Sequence, residues 1–382
     1  MSVAIGMHMQ DTLLSPAVAL ASLALAGAAL LAASVRARKT VSSEKIPLMG
    51  VLGAFIFAAQ MINFPLPGLG TSGHLVGGVL LAILLGPAAA TLVMAAILIV
   101  QCLIFQDGGL LALGCNIINM GVAPSFLGFG LYRLIVGAPS QTARGWRMYL
   151  GAWVASLVGV TAGAALVPLE AHLANMLVIP PATFLAGMIT LHVPIGAVEG
   201  LITFAVLAYL VNVNYGARTS LANLPVRPVG QPIRAGRQTV LASLLVAALC
   251  LAGAASWFAS TVPDGLETAL ANRYSKSDQP LRSPSAVVVQ ATQWHSRTAL
   301  LPEYGPRQAP LGEVSKEQAG LDAPTTAPAA VPTPAPLAKQ EPPARWPNVS
   351  GWTSLAGVAG SMLTLGLVYL LALGLHKRST GK

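Results

Sequence analysis

The chain alternates long apolar blocks with short polar or basic joints. Nine blocks can be drawn, at about 16–35, 46–66, 74–86, 87–105, 110–136, 148–168, 183–211, 239–260 and 353–376. Most run about 20 residues with almost no charge, the length a helix needs to cross a hydrocarbon core of roughly 30 Å. The block 74–86 is shorter and ends at Gly86-Pro87. It predicts a short inward helix with 87–105 as its return, and an interrupted helix of this kind tends to line a site or cavity. The pattern predicts an all-α, polytopic membrane helical bundle. A linker at 216–238 separates a seven-span domain, 7–215, from a two-span domain, 239–376, whose spans flank a long loop, 262–352. The second half of that loop is rich in proline and reads as an extended tether.

Charge supplies the orientation. Only 9% of residues are charged and the net charge is +9, against roughly 25% charged in a soluble domain. The loop 262–352 is neutral, so the excess lies in the basic stretch 36–45, in Arg133, Arg144 and Arg147, in the linker, and in the C-terminal tail. Nine crossings with the N-terminus external and the C-terminus cytoplasmic put every short basic loop inside, as the positive-inside rule demands. This predicts a multi-pass protein of the cell (inner) membrane that contacts the lipid bilayer and no nucleic acid. The first block lacks a preceding basic region, so it reads as a retained span and not as a signal peptide. Cys102, Cys115 and Cys250 form no CxxC pair and read as buried thiols.

Candidate chemistry gathers at the external side. If the chain starts at Met7, its amine, the His8 amide nitrogen and the His8 imidazole close adjoining chelate rings around one metal. A fourth nitrogen completes a square, the geometry of Ni(II) or Cu(II). His74, at the external mouth of the short helix, is the candidate fourth ligand. On pattern alone, His8 as a tail residue and His74 as an interfacial histidine remain open. Gln60, Asn63, Gln101, Asn116 and Asn119 suit either support of a site or bonding between helices. Glu199 and His192, inside a span, are ionisable groups at membrane depth. Ala17, Ala21, Ala24 and Ala28 form a small-residue face on the first span. No GxxxxGK[ST] loop and no HExxH helix are present, which argues against ATP hydrolysis in that manner and against a zinc protease.

Several motifs carry a resemblance. They are Met7-His8 through Leu14-Ser15-Pro16, Gly53-Ala54-Phe55-Ile56-Phe57, Asn63-Phe64-Pro65, Gly70-Thr71-Ser72-Gly73-His74, Leu85-Gly86-Pro87, Gln106-Asp107-Gly108-Gly109-Leu110 and Gly114-Cys115-Asn116. Over roughly residues 7–215 the chain resembles the substrate-binding permeases of energy-coupling-factor nickel and cobalt transporters, the CbiM/NikM family. Pro263-Asp264-Gly265-Leu266-Glu267, directly after a span, resembles the signature of the two-span PDGLE accessory component of the same transporters, here fused to the permease. The resemblance implies a non-enzymatic subunit that takes up Ni(2+) or Co(2+) as transported substrate at Met7, His8 and His74. It also implies a transmembrane coupling subunit and a pair of cytoplasmic ATPases as partners. Residues 1–6 precede the motif, and the amine ligand requires translation from Met7. A membrane scaffold with a partner-recruiting loop, and a permease for an organic vitamin, are the competing readings.

Overall fold

The computed structural model describes residues 8–137, 145–213, 236–271, 281–307, 347 and 349–380. The first element among the described residues is a single 3-10 turn, Asp11–Leu13, which leads into α1, Pro16–Thr40. Pro16 occupies the first turn, where its missing N–H costs nothing, and Arg38 and Lys39 face the negative end of the helix dipole. Helix α2, Lys45–Gln60, stops before the Pro- and Gly-rich stretch 63–70. The block drawn as 46–66 is therefore too long. Pro65 and Pro67, with Gly68 and Gly70 after them, interrupt the helical hydrogen-bond ladder, and the chain turns instead into a hairpin of β1, Phe64–Leu66, and β2, Thr71–Gly73, with Phe64 opposite Gly73 and Leu66 opposite Thr71. This small sheet is the one departure from an all-α fold among the described residues.

Helix α3, Gly78–Leu85, has only eight residues, all buried, and is joined through Gly86 to α4, Pro87–Phe105. The pair forms the centre of the core. Helix α5, Leu113–Val136, winds as a π-helix over Ile117–Val122 and Pro124–Gly128. Wider winding accommodates Pro124, which cannot donate its share of the ladder. Helices α6, Gly145–Leu173, and α7, Pro181–Asn212, form the most extensive pair.

The rest of the chain adds α8, Arg237–Gly253, two short helices α9, Gly265–Ala271, and α10, Ala286–Thr298, and α11, Gly351–Thr380. Helices α8 and α11 pack on each other and on α2. Small residues make that approach possible, as expected where lipid supplies no hydrophobic drive between helices: Gly50 and Gly53 of α2 lie under Leu365, Thr364 and Val368 of α11. Among the described residues six helices, α1, α4, α5, α6, α7 and α11, are long and apolar enough to cross a bilayer, while α2 and α8 are shorter apolar helices. The block expected at 239–260 ends early, at Gly253, and continues as a 3-10 turn. Of the three thiols, Cys102 and Cys115 are buried, but Cys250 is exposed on the outer face of α8.

Most of the basic linker, 214–235, and the proline-rich stretch 308–346 lie outside the described residues. The described first half of the loop is no free tether. Arg282 N–H donates to the Met176 carbonyl, and the buried His295 Nε2 donates to the Cys102 carbonyl at the end of α4. Leu301 N–H donates to the Ile104 carbonyl in the same last turn.

Candidate metal centre

The segment 8–14 is tucked inside the molecule, with Met9, Leu13 and Leu14 in an apolar cluster. Asn116 of α5 grips Met9 like a strand partner. Its Oδ1 accepts from Met9 N–H at 3.0 Å and its Nδ2 donates to the Met9 carbonyl at 3.1 Å, which also accepts from Gly109 N–H. Asp11 Oδ1 accepts from Leu111 N–H and Ala112 N–H at 2.8 and 3.0 Å. The Gly108-Gly109 pair allows this approach. Gly108 has φ of +88°, and a Cβ there would meet Asn116 and His8, while one on Gly109 would sit on Asp11. His8 is thereby buried at a fixed place. Met7, the proposed amine ligand, lies outside the described residues.

His74 arrives from the hairpin. Its Nδ1 donates to the Leu75 carbonyl at 3.0 Å, which puts the acceptor lone pair on Nε2. The turn behind it is held from two sides. Glu199 of α7 accepts from Val76 N–H and Gly77 N–H at 2.7 and 3.1 Å, one through each carboxylate oxygen. Gln60 donates to the Val76 carbonyl, and Gln101 in turn donates to Gln60. The in-span glutamate thus fixes the backbone that presents His74. Gln60, Gln101 and Asn116 support this region, whereas Asn119 bonds to Glu170 at 2.8 Å.

The two imidazoles, distant in sequence, meet edge to face with ring centroids 5.5 Å apart. They face a cavity of about 70 Å³ whose walls include Asn116, Asn119, Met188 and His192. His192 Nδ1 donates to the Met188 carbonyl, and its ring lies against Gly265.

His8 Nδ1 donates to Asp107 Oδ1 at 2.7 Å, and Asp107 Oδ2 accepts from the Tyr304 hydroxyl at 2.6 Å. The His8 Nε2 is buried and has no hydrogen-bond partner among the described residues. Burial works against the Asp107 charge. The attraction and hydrogen bond of His8, with the Tyr304 bond, outweigh it and hold the carboxyl below its ordinary pKa. Burial and the Asp107 charge push the Tyr304 hydroxyl well above its ordinary value, so it stays a donor. Neither Asp107 nor Tyr304 stood out as a site residue in the sequence. Asp107 was visible only as part of the Gln106-Asp107-Gly108-Gly109 motif, and Tyr304 carries no local signal, since its partner lies 197 positions away.

The Pro263-Asp264-Gly265-Leu266-Glu267 turn closes the site from the other flank. Ser72 N–H donates to the Pro263 carbonyl at 2.8 Å, Ser72 Oγ to the Val262 carbonyl at 2.7 Å, and Thr71 Oγ1 to the Pro263 carbonyl at 3.1 Å. Asp264 and Glu267 cap α9 reciprocally: Glu267 N–H donates to Asp264 Oδ1 and Asp264 N–H to Glu267 Oε2. Leu266 forms part of the cavity wall. Burial raises Asp264 to about 7, against the pull of its bond from Glu267 N–H. Among the described residues no group of three or more His, Cys, Asp or Glu is placed to hold a metal ion. His8 and His74 turn two imidazoles to the cavity while His192 stands elsewhere in its wall, so an ion held between the first two would draw further donors from the main chain, an amine or solvent.

Comparison with known proteins adds the following. The CbiM family model, described as a cobalt uptake substrate-specific transmembrane region, matches residues 8–216. The PDGLE domain model matches residues 238–377. A putative fused nickel transport protein NikMN of Archaeoglobus fulgidus is 42% identical over 163 residues, covering 43% of this chain and 52% of that protein. The chain thus spans about half the length of that relative. A probable fused nickel transport protein LarMN of Lactiplantibacillus plantarum is 36% identical over 248 residues, covering 59% of this chain and 70% of that protein. A crystal structure of a transition metal transporter is 31% identical and covers 55% of this chain and 94% of its own, with a TM-score of 0.48.

Proposed function

The chain belongs to the CbiM family and carries a PDGLE domain fused behind it, and from that premise we propose that it is the substrate-binding permease of a nickel, or less favourably cobalt, uptake system. The observation that carries the proposal is the convergence of His8 and His74 on one small cavity. An ion bonded about 2 Å from each imidazole nitrogen fits between ring centroids 5.5 Å apart. The fused nickel relatives favour nickel. A cavity of about 70 Å³ holds an ion and its donors, not a vitamin-sized molecule. A scaffold has no use for a buried and a half-buried imidazole facing one cavity.

The ligand set is Met7, His8 and His74. With translation from Met7, the amine and the His8 amide nitrogen supply the donors that the side chains lack. Chelate rings from these atoms end on the His8 Nδ1, the nitrogen that Asp107 holds here. Closing the chelate therefore turns the His8 ring about its Cβ–Cγ bond and points Nδ1 at the ion. Four nitrogens in a plane leave nickel low-spin, diamagnetic and yellow to orange.

Energy comes from elsewhere, because the chain has no phosphate-binding loop. A transmembrane coupling subunit with a pair of cytoplasmic ATPases fits this need. Ala17, Ala21, Ala24 and Ala28 are all exposed on α1 and offer such a subunit a closely approachable face. The site faces outward in the topology read from charge.

Nickel and cobalt accumulation in cells carrying the transporter with and without this chain tests the function. A metal content that does not change would sink it. For the ligands, His8→Ala and His74→Ala should each abolish tight binding, and N-terminal mass spectrometry with metal analysis of one sample tests the amine. A mature chain that begins at Met1 and still holds square-planar nickel would overturn the Met7 ligand.

A further inference from the structure

One wall of the cavity carries a polar atom that neither imidazole uses. Asn116 and Asn119 of α5 line that wall together with Gly163 and Val167 of α6. Gly163 lets the two helices meet there, since a Cβ on it would sit on the Asn119 carbonyl oxygen. The Asn119 side chain is buried, and its Nδ2 donates at 2.8 Å to Oε2 of Glu170, one turn beyond Val167 on α6. A carboxylate only accepts, so this bond fixes which way round the amide lies. The NH₂ edge goes to Glu170 and the oxygen takes the opposite edge. Turning the amide over would set its oxygen against the carboxylate. The Asn119 Oδ1 is buried and has no hydrogen-bond partner among the described residues. A buried acceptor left without a donor is costly.

We propose that Asn119 is a positioning residue of the metal site, set by Glu170 so that its Oδ1 accepts from an N–H or O–H carried by a ligand of the bound ion. The inference rests on the reading of this cavity as the metal site. An amine or a water bonded to a divalent cation keeps N–H or O–H groups, and the cation strengthens them as donors. Buried in this cavity they need an acceptor. The side chains of Met120, Val167, Met188 and Leu266 in the same wall offer at most a thioether. The acceptor that lacks a donor and the donor that arrives with the ion thus satisfy each other. The bond requires no particular rotamer of His8, so it serves the site after that ring has turned to the ion. The Asn119 oxygen acts through the ligand and does not touch the metal.

The test uses the purified full chain with nickel as the probe. It reads affinity by titration, the spin state of the bound ion, and the unfolding midpoint without metal. Asn119→Leu keeps the bulk and removes the acceptor. It should weaken nickel binding about three- to tenfold, the effect of one hydrogen bond, with the spin state unchanged. Glu170→Gln removes nothing from the cavity wall but frees the amide to turn over, because a glutamine both donates and accepts. It should weaken binding about two- to fivefold, with the metal-free midpoint unchanged. The spin state of the wild type names the source of the donor: a diamagnetic ion is square-planar and bonded through the amine, and a paramagnetic one has kept a water. Wild-type affinity in both variants overturns the inference while leaving the nickel site standing. So do losses in both that only track a fall in metal-free stability. A spin state that changes in Asn119→Leu makes the oxygen a ligand of the ion itself and overturns the inference as well. A wild-type chain that binds no nickel overturns the metal reading and this inference with it.

Discussion

At the scale of single residues, the backbone carrying His74 depends on one buried carboxylate. Glu199 accepts from two consecutive N–H groups, Val76 and Gly77, through its two oxygens. Glu199→Gln keeps one acceptor and turns an amide NH₂ against the other N–H, which leaves a buried donor unsatisfied at a cost of about 1–3 kcal/mol. The expected outcome is a lower unfolding midpoint together with a nickel affinity reduced by about tenfold or more. Unfolding and metal titration on the same preparation decide it, and wild-type values for both would show that the turn holds its shape without the carboxylate. In the sequence this residue was visible as an ionisable group at membrane depth, which marks importance. Its partners were not visible, because the bond runs from α7 to a turn 122 positions earlier.

At the scale of elements, α9 is short and owes its start to the reciprocal cap of Asp264 and Glu267. Asp264→Ala removes the cap, at a cost of about 1 kcal/mol, and should loosen the turn from Thr71 and Ser72. Asp264→Asn keeps an oxygen for Glu267 N–H and should hold the turn in place. The same residue makes the docking respond to pH. Its carboxyl moves from 3.8 to about 7 on folding because burial disfavours the charge. A raised carboxyl pKa contributes stability that is complete below about 4 and is lost as pH rises through about 7. Protection of the 262–271 segment from protease should therefore fall across that window in the wild type and fall less in Asp264→Asn, where Glu267, also raised by burial, still titrates. Equal pH profiles for the two proteins would refute the assignment to Asp264.

At the scale of the whole molecule, the prediction is topological. A reporter after Lys382 should report cytoplasm and one inserted near Ala330 the external side. A reversed result at either place means that the count of crossings is off by an odd number. The partner reading has its own test. Replacing Ala21 and Ala24 with leucine fills the exposed small-residue face of α1, and should prevent co-purification of a coupling subunit while leaving nickel binding to the isolated chain intact. Recovery of the subunit with both leucines in place would move the contact elsewhere.

The membrane character, the order of the apolar blocks and the motifs of both units were legible in the sequence, because hydropathy and short motifs are local properties. His8 and His74 were legible for the same reason, as histidines within short recognisable stretches. The end of α2 at Gln60 and the hairpin after it were signalled by Pro65, Pro67 and the neighbouring glycines, though the block was drawn through them. Only the tertiary structure decided that the two imidazoles meet, that Glu199 and Gln60 hold the turn between them and the core, and that the loop of the PDGLE unit folds back to place Tyr304 on Asp107. Those relations join residues up to 197 positions apart, and no local periodicity encodes them. They arise where the π-wound α5, the hairpin and the returning loop converge on the mouth of the buried α3–α4 pair, and there the close approach of the backbones leaves room for a small cavity that the two imidazoles share.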